Sequence, residues 1–196
     1  MDPGLASFAK ILDPQVSARG AKYALIEHDK KVGDGKLRIM IGDKVFPSSS
    51  PFGVSTYNND DATRKNIEFT ICPSDEVKIN SIYNWTIEQL TSKPEKYFKK
   101  AVSKDELLEL FKHPIIRKDG YQPKFKCKID TAGKNQVRCW DAQNERCDLP
   151  SDLRGYKLIP RICVNHVWFM SKECGLVCLV TDLQILEGES QECPFE

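Results

Sequence analysis

Residues 123–130 read PKFKCKID, with Lys124, Lys126 and Lys128 alternating with Phe125, Cys127 and Ile129. Successive side chains of a β-strand point to opposite faces, so this stretch reads as a strand with one apolar face and one cationic face. The apolar set explains itself as core. The lysine set has two readings, because alternating lysine also keeps the edge strands of a sheet from pairing with other chains. Along a strand the three ammonium groups recur about every 6.7 Å, comparable to the phosphate repeat of a stretched single strand.

The stretch that follows, residues 136–142 (QVRCWDA), reads as a second strand in which Arg138 and Trp140 share a face. Beyond a polar loop, KLIPRICVNHVWF and LVCLVTDLQIL flank the tight turn SKECG and read as the longest hairpin of the chain, with Arg161 and Asn165 on one side of its first strand. If these three strands pair in order, Lys124, Lys126, Lys128, Arg138, Trp140 and Arg161 share one sheet face. Cations that follow a backbone, with a ring on which bases stack, are the chemistry of single-stranded nucleic-acid binding.

Upstream, KYALIEH (22–28) and KLRIMIG (36–42) are β-rich runs separated by DKKVGDG and read as a hairpin, and KNIEFTI (65–71) reads as a further strand. The intervening FPSSSPFGVSTYNNDD is too rich in Pro, Ser and Asn for an element. From Asp75 to Ser92, Ile79, Ile82, Tyr83, Ile87 and Leu90 recur at helical spacing, and Pro94 ends that helix. SKDE at 103–106 ahead of LLELF is a capping-box signature for a second helix. KPEKYFKK reads as a basic, exposed surface that can also be helical. The sequence therefore predicts a β-rich α+β chain: a small barrel with a helical insertion or bridge over 75–112, an N-terminal arm over 1–21, the domain proper over 22–187 and an acidic tail over 188–196.

Composition sets further bounds. The 196 residues are 40% hydrophobic and 29% charged, ordinary for a globular chain, and no window approaches a membrane span. The start, MDPGLASFAKILDP, lacks the basic flank and apolar stretch of a secretion signal, so the expectation is an intracellular chain. The net charge of +1 conceals asymmetry: 117–172 holds twelve basic and six acidic residues, whereas 173–196 holds six acidic residues and no basic one. Such an imbalance points to an anionic partner, with the tail EGESQECPFE as an internal competitor for it or a docking segment.

The catalytic signatures of a Gly-rich phosphate loop, a GxSxG elbow and a paired-histidine zinc helix do not occur, and the three histidines are His28, His113 and His166. The sequence thus predicts a non-enzymatic protein without a cofactor. Cys163, His166, Cys174 and Cys178 are the one set with metal-ligand chemistry, but in extended strands Cys163 and His166 face opposite sides and Cys174 and Cys178 lie about 13 Å apart. The eight cysteines read as reduced, mostly buried thiols.

Taken together, PFGVSTY, YQPKFKCKI, KLIPRICVNHVWF and GLVCLVTDLQIL, spanning about Tyr23 to Leu186, resemble a group of small proteins of large nucleocytoplasmic DNA viruses whose relatives include OB-fold single-stranded-DNA-binding proteins. In outline the chain is also similar to phage single-stranded-DNA-binding proteins that end in an acidic, aromatic-tipped tail, although here Pro194 precedes Phe195. The resemblance implies that the small barrel is OB-like and that it binds single-stranded DNA through Lys124, Lys126, Lys128, Arg138 and Trp140 in viral replication, repair or recombination. It also implies partners among viral replication or virion proteins, with self-association left open, and a location in the host cytoplasm or viral factory or in the virion. The alternative it leaves standing is a structural or interaction protein, such as a minor virion component.

Overall fold

A computed structural model describes residues 8–30, 34–55 and 63–188. In chain order the elements are β1 (Ala9–Ile11), β2 (Gln15–Val16), β3 (Lys22–His28), β4 (Arg38–Met40), β5 (Val54–Ser55), β6 (Arg64–Thr70), α1 (Pro73–Ser92), α2 (Pro94–Phe98), α3 (Lys104–Leu110), β7 (Phe111–Lys112), β8 (Ile115–Ile116), β9 (Lys124–Asp130), β10 (Arg138–Trp140), β11 (Arg146–Cys147), β12 (Tyr156–Phe169) and β13 (Cys174–Gly188). The fold is β-rich α+β, with its helices set between an N-terminal and a C-terminal group of strands. Of the acidic tail only Gly188, the end of β13, lies within the described residues, and among the described residues of the Pro- and Ser-rich stretch only β5 forms a named element.

The chain divides into two compact units. One is drawn from Met1–Ile39, Pro73–Ile116 and Cys163–Leu179, the other from Met40–Cys72, Arg117–Ile162 and Val180–Glu196. The long strands β12 and β13 give residues to both.

In the first unit β3 is paired by β1, by β2 and by the end of β12, with His166 opposite Leu25 and Phe169 opposite Lys22. Alternation puts Ala24 and Ile26 of β3 in the core. The periodic residues of α1, Ile79, Ile82, Tyr83, Ile87 and Leu90, are all buried, as are Trp85 and Thr86. Thr86 tolerates burial because its hydroxyl donates to the Ile82 carbonyl at 2.8 Å. Asp75 and Glu76 occupy the first turn of α1, where carboxylates complement the helix dipole. Pro94 both ends α1 and opens α2, since proline lacks the N–H that a first helical turn leaves unused. Ser103 and Glu106 form the expected capping box, with Glu106 N–H donating to Ser103 Oγ at 3.1 Å and Ser103 N–H donating to Glu106 Oε2 at 2.8 Å.

In the second unit β6 and β9 pair antiparallel along their full length, Arg64 opposite Asp130 through Thr70 opposite Lys124. Ile67 and Phe69 of β6 meet Cys127 and Phe125 of β9, and all four are buried. β5 flanks β6, and β9 pairs with β13. β10 runs parallel to β13, with Arg138 opposite Asp182, Cys139 opposite Leu183 and Trp140 opposite Gln184, and β11 closes a short hairpin on β10.

Two pairings differ from the sequence expectation. Among the described residues β3 and β4 do not pair with each other; each pairs with β12, whose 14 residues offer more ladder than either could give the other. Nor do β9, β10 and β12 pair in order. The turn after β9 carries the chain away, so that β10 meets β13, a contact between segments 44 residues apart that local pattern cannot disclose.

Candidate nucleic-acid interface

The outer face of the β6–β9 ribbon sets Lys124, Lys126, Lys128 and Asp130 against Thr70, Glu68, Asn66 and Arg64. The face is therefore not of one charge: β6 supplies Glu68, and Asp130 lies at the end of the lysine row itself. Lys124 is held by Glu68 at 2.6 Å, and its ammonium lies 4.2 Å from the centre of the Phe52 ring. Asp130 is buried and takes both ends of the Arg64 guanidinium, at 2.7 Å each. Lys126 and Lys128 have no ion-pair partner among the described residues. Burial, then the charges of Lys126 and Arg64, pushes the Lys128 ammonium below its ordinary pKa. Beside it, Asn66 Oδ1 is buried and finds no hydrogen-bond partner among the described residues.

Phe52 is 65% exposed. The loop that presents it is tied to the end of β6: Thr70 N–H donates to the Ser49 carbonyl at 2.9 Å, and Ser48 Oγ donates to the Thr70 carbonyl at 2.7 Å. Because Thr70 faces Lys124, this anchoring brings the ring to the lysine row. Gly53 closes the turn with φ of 61°, a left-handed conformation that glycine adopts without steric cost.

The second group of predicted residues converges on a carboxylate that the sequence reading passed over. Arg138 Nη2 lies 2.8 and 3.0 Å from the two oxygens of Asp182, Trp140 Nε1 donates to Asp182 Oδ1 at 3.4 Å, and Arg161 Nη1 stands 4.0 Å from Oδ2. Thr181 Oγ1 is 2.9 Å from Asp182 Oδ2 and 3.2 Å from the Arg161 carbonyl oxygen, and its one proton serves one of them at a time. Burial works to raise the Asp182 pKa, but hydrogen bonds from Arg138, Thr181 and Trp140 together with the Arg138 charge outweigh it and leave the carboxyl below its ordinary value. A cavity of about 270 Å³ opens here, lined by Met40, Trp140, Asn144, Ile159, Arg161, Asp182 and Gln184. One side of the indole is attended by Arg146, whose guanidinium carbon is 5.2 Å from the ring centre.

The structure gathers Arg138, Trp140 and Arg161 around Asp182 and keeps Lys124, Lys126 and Lys128 on one strand face, through other pairings than the in-order arrangement that the sequence suggested. What the sequence reading missed are Phe52, Glu68, Arg64 and Asp182. A signal for Asp182 was present, since it is the one carboxylate inside the apolar run LVCLVTDLQIL, and a charge in such a run needs a partner.

The cysteine and histidine set behaves differently. Cys163, Cys174 and Cys178 are buried, and burial pushes the thiols of Cys174 and Cys178 up to about 12. His166 Nδ1 lies 3.0 Å from Asn165 Nδ2, and its ring meets Tyr23 edge-on at 5.5 Å. Among the described residues no group of three or more histidine, cysteine or acidic side chains gathers as a metal site, and no helix is long and apolar enough to cross a membrane.

No protein-family model matches the chain, and no curated protein matches it in sequence. In structure it is similar to the crystal structure of gp2.5, a single-stranded-DNA-binding protein encoded by bacteriophage T7, with 13% identity and a TM-score of 0.50 over 77% of this chain and 87% of that one. A single-stranded-DNA-binding protein from bacteriophage Enc34, in complex with single-stranded DNA, aligns over 94% of this chain and 98% of its own with 11% identity and a TM-score of 0.45. The chain shares with the T7 protein a β-rich α+β fold of the OB type.

Proposed function

We propose that this chain is a non-enzymatic single-stranded-DNA-binding protein, largely indifferent to sequence, that serves viral DNA replication, repair or recombination. The observation that carries the reading is the crowding of Lys126, Lys128 and Arg64 on one sheet face, with no carboxylate partner for the two lysines among the described residues. Bound phosphates would relieve that repulsion. Phe52 and Trp140 supply ring faces on which single-stranded bases can stack, whereas a duplex keeps its bases stacked on one another. Contacts to phosphates and ring faces carry little sequence information. The likeness in fold to the T7 protein supports the reading.

The test is an anisotropy titration of labelled single-stranded and duplex DNA over a range of salt. If Lys126, Lys128 and Arg161 engage phosphates, the logarithm of affinity falls against the logarithm of salt with a slope of about −2.1, at about 0.7 for each contact. If Lys124 and Arg138 also leave Glu68 and Asp182 for the strand, the slope approaches about −3.5. A single-strand affinity no greater than that for duplex, or no binding at physiological salt, rejects the proposal and favours a structural or virion component.

A further inference from the structure

The first unit contains a larger cleft, of about 780 Å³, within the range of about 300–1,000 Å³ usual for ligand sites. Its walls come from the approach to β3 and its first residue (Arg19 and Lys22), from α2 and the residues after it (Tyr97, Phe98 and Lys100), and from the β12–β13 turn with Trp168 and Phe169 beside it. α2 stops abruptly because Lys99 takes a left-handed conformation, φ 59°, leaving Phe98 just before the reversal and Lys100 just after it.

The aromatic side of the cleft is a built structure. Tyr97 stacks on Phe169 with ring centres 6.1 Å apart and planes 13° from parallel, and Phe98 meets Phe169 edge-on at 5.5 Å. The Tyr97 hydroxyl donates to the Ile11 carbonyl at 3.1 Å, which fixes the stack. Trp168 lies over Gly175, where an added Cβ would come within 3.1 Å of the indole. Any larger residue at 175 would displace that ring.

The charged side is cationic. Lys22 donates to the Tyr97 carbonyl and has its ammonium 5.6 Å from the Phe169 ring centre, while Arg19 and Lys100 are exposed. The single carboxylate in the lining, Glu173, is already engaged by Lys112 at 3.0 Å. An apolar peptide would have no use for the three cations, and a free phosphate would have none for the half-buried rings of Trp168 and Phe98. A nucleotide uses both.

We propose that this cleft is a second single-stranded-nucleic-acid contact, in which a base stacks on Trp168 or Phe98 while Arg19 and Lys100 hold the neighbouring phosphates. The inference rests on the single-stranded-DNA reading above but concerns different residues in a different unit. It is tested on the full chain with oligo(dT) and the double variant Arg19→Glu/Lys100→Glu, whose exposed positions leave the fold intact by far-UV circular dichroism. The expected result is a salt slope reduced by about 1.4, two phosphates' worth, and a several-fold loss of affinity.

A second readout isolates the ring. In a Trp140→Phe background the emission of Trp168 is quenched by oligo(dT), the remaining Trp85 being buried at 9% exposure. The quenching is lost on adding Arg19→Glu/Lys100→Glu. Gly175→Ala, which moves the indole without changing charge, diminishes the quenching and keeps the slope.

Unchanged slope and quenching in the charge-reversal variant, with binding still lost in Lys126→Ala/Lys128→Ala, overturn this inference and leave the proposed function standing. Failure of the unmodified chain to bind oligo(dT) overturns both. Quenching by a peptide of residues 187–196 but not by oligo(dT) assigns the cleft to the acidic tail and also overturns it.

Discussion

Arg138 and Asp182, 44 residues apart in sequence, face each other across the parallel β10–β13 pair, with Arg138 Nη2 within 3.0 Å of both carboxylate oxygens. The contact does two opposed things. It fixes β10, with Trp140, on β13, and it cancels a cation that a nucleic-acid strand would otherwise meet. A bound phosphate would have to share Arg138 with Asp182 or take it away.

Asp182→Asn separates these effects. The amide keeps much of the hydrogen bonding and loses the charge, so the salt slope of single-strand binding should steepen by about 0.7 as Arg138 becomes available. Stability should fall, because a charge-assisted contact becomes a neutral one. The Asp182 pKa is lower in the folded protein than in the unfolded chain, so its contribution is complete above the ordinary carboxylate range and is lost as pH falls through the folded value. Urea unfolding at neutral pH and below about pH 4 should therefore show the wild type losing its advantage over Asp182→Asn on acidification.

Lys128 should trade stability against binding. Its charged form is disfavoured by burial and by Lys126 and Arg64, and this penalty persists at every pH below its folded pKa. Lys128→Met removes the penalty and keeps the aliphatic stem. Thermal unfolding should shift upward while the salt slope falls by about 0.7. Lys124→Met should not stabilise, because it breaks the 2.6 Å pair with Glu68.

Phe52 is the cleanest probe of stacking. At 65% exposure its removal leaves the core unchanged, so Phe52→Ala should preserve the unfolding midpoint and weaken single-strand binding by about 1–3 kcal/mol if a base stacks there. Isothermal titration with an abasic oligonucleotide as control distinguishes lost stacking from altered Lys124 geometry.

Phe125, directly opposite Phe69 and 1% exposed, anchors the β6–β9 ribbon that carries the lysines. Phe125→Ala should cost about 3–5 kcal/mol of stability by leaving a cavity between the two strands, measurable by chemical denaturation.

Much of this architecture was legible along the chain. The strand at 124–130, the helix with its buried Ile79, Ile82, Tyr83, Ile87 and Leu90, its end before Pro94 and the Ser103–Glu106 capping box all follow from spacings of two to four residues. Those spacings act within one element, where the backbone geometry is fixed in advance. The apolar half of PKFKCKID was decided on the same ground, and Phe125, Cys127 and Ile129 are all buried.

What only the tertiary structure decided is which strands meet. Register between β6 and β9 sets Glu68 diagonally within reach of Lys124 and Arg64 opposite Asp130; parallel pairing of β10 with β13 brings Asp182 to Arg138 and Trp140, and β12 beside β13 adds Arg161; and the serine loop brings Phe52 to Lys124. Each of these contacts joins segments distant in sequence, and their energies depend on distance and burial that no local pattern encodes. The sequence by itself determined that a row of lysines would face away from the core. The fold decided that one of them is paired with Glu68, while Lys128 stands between the positive charges of Lys126 and Arg64.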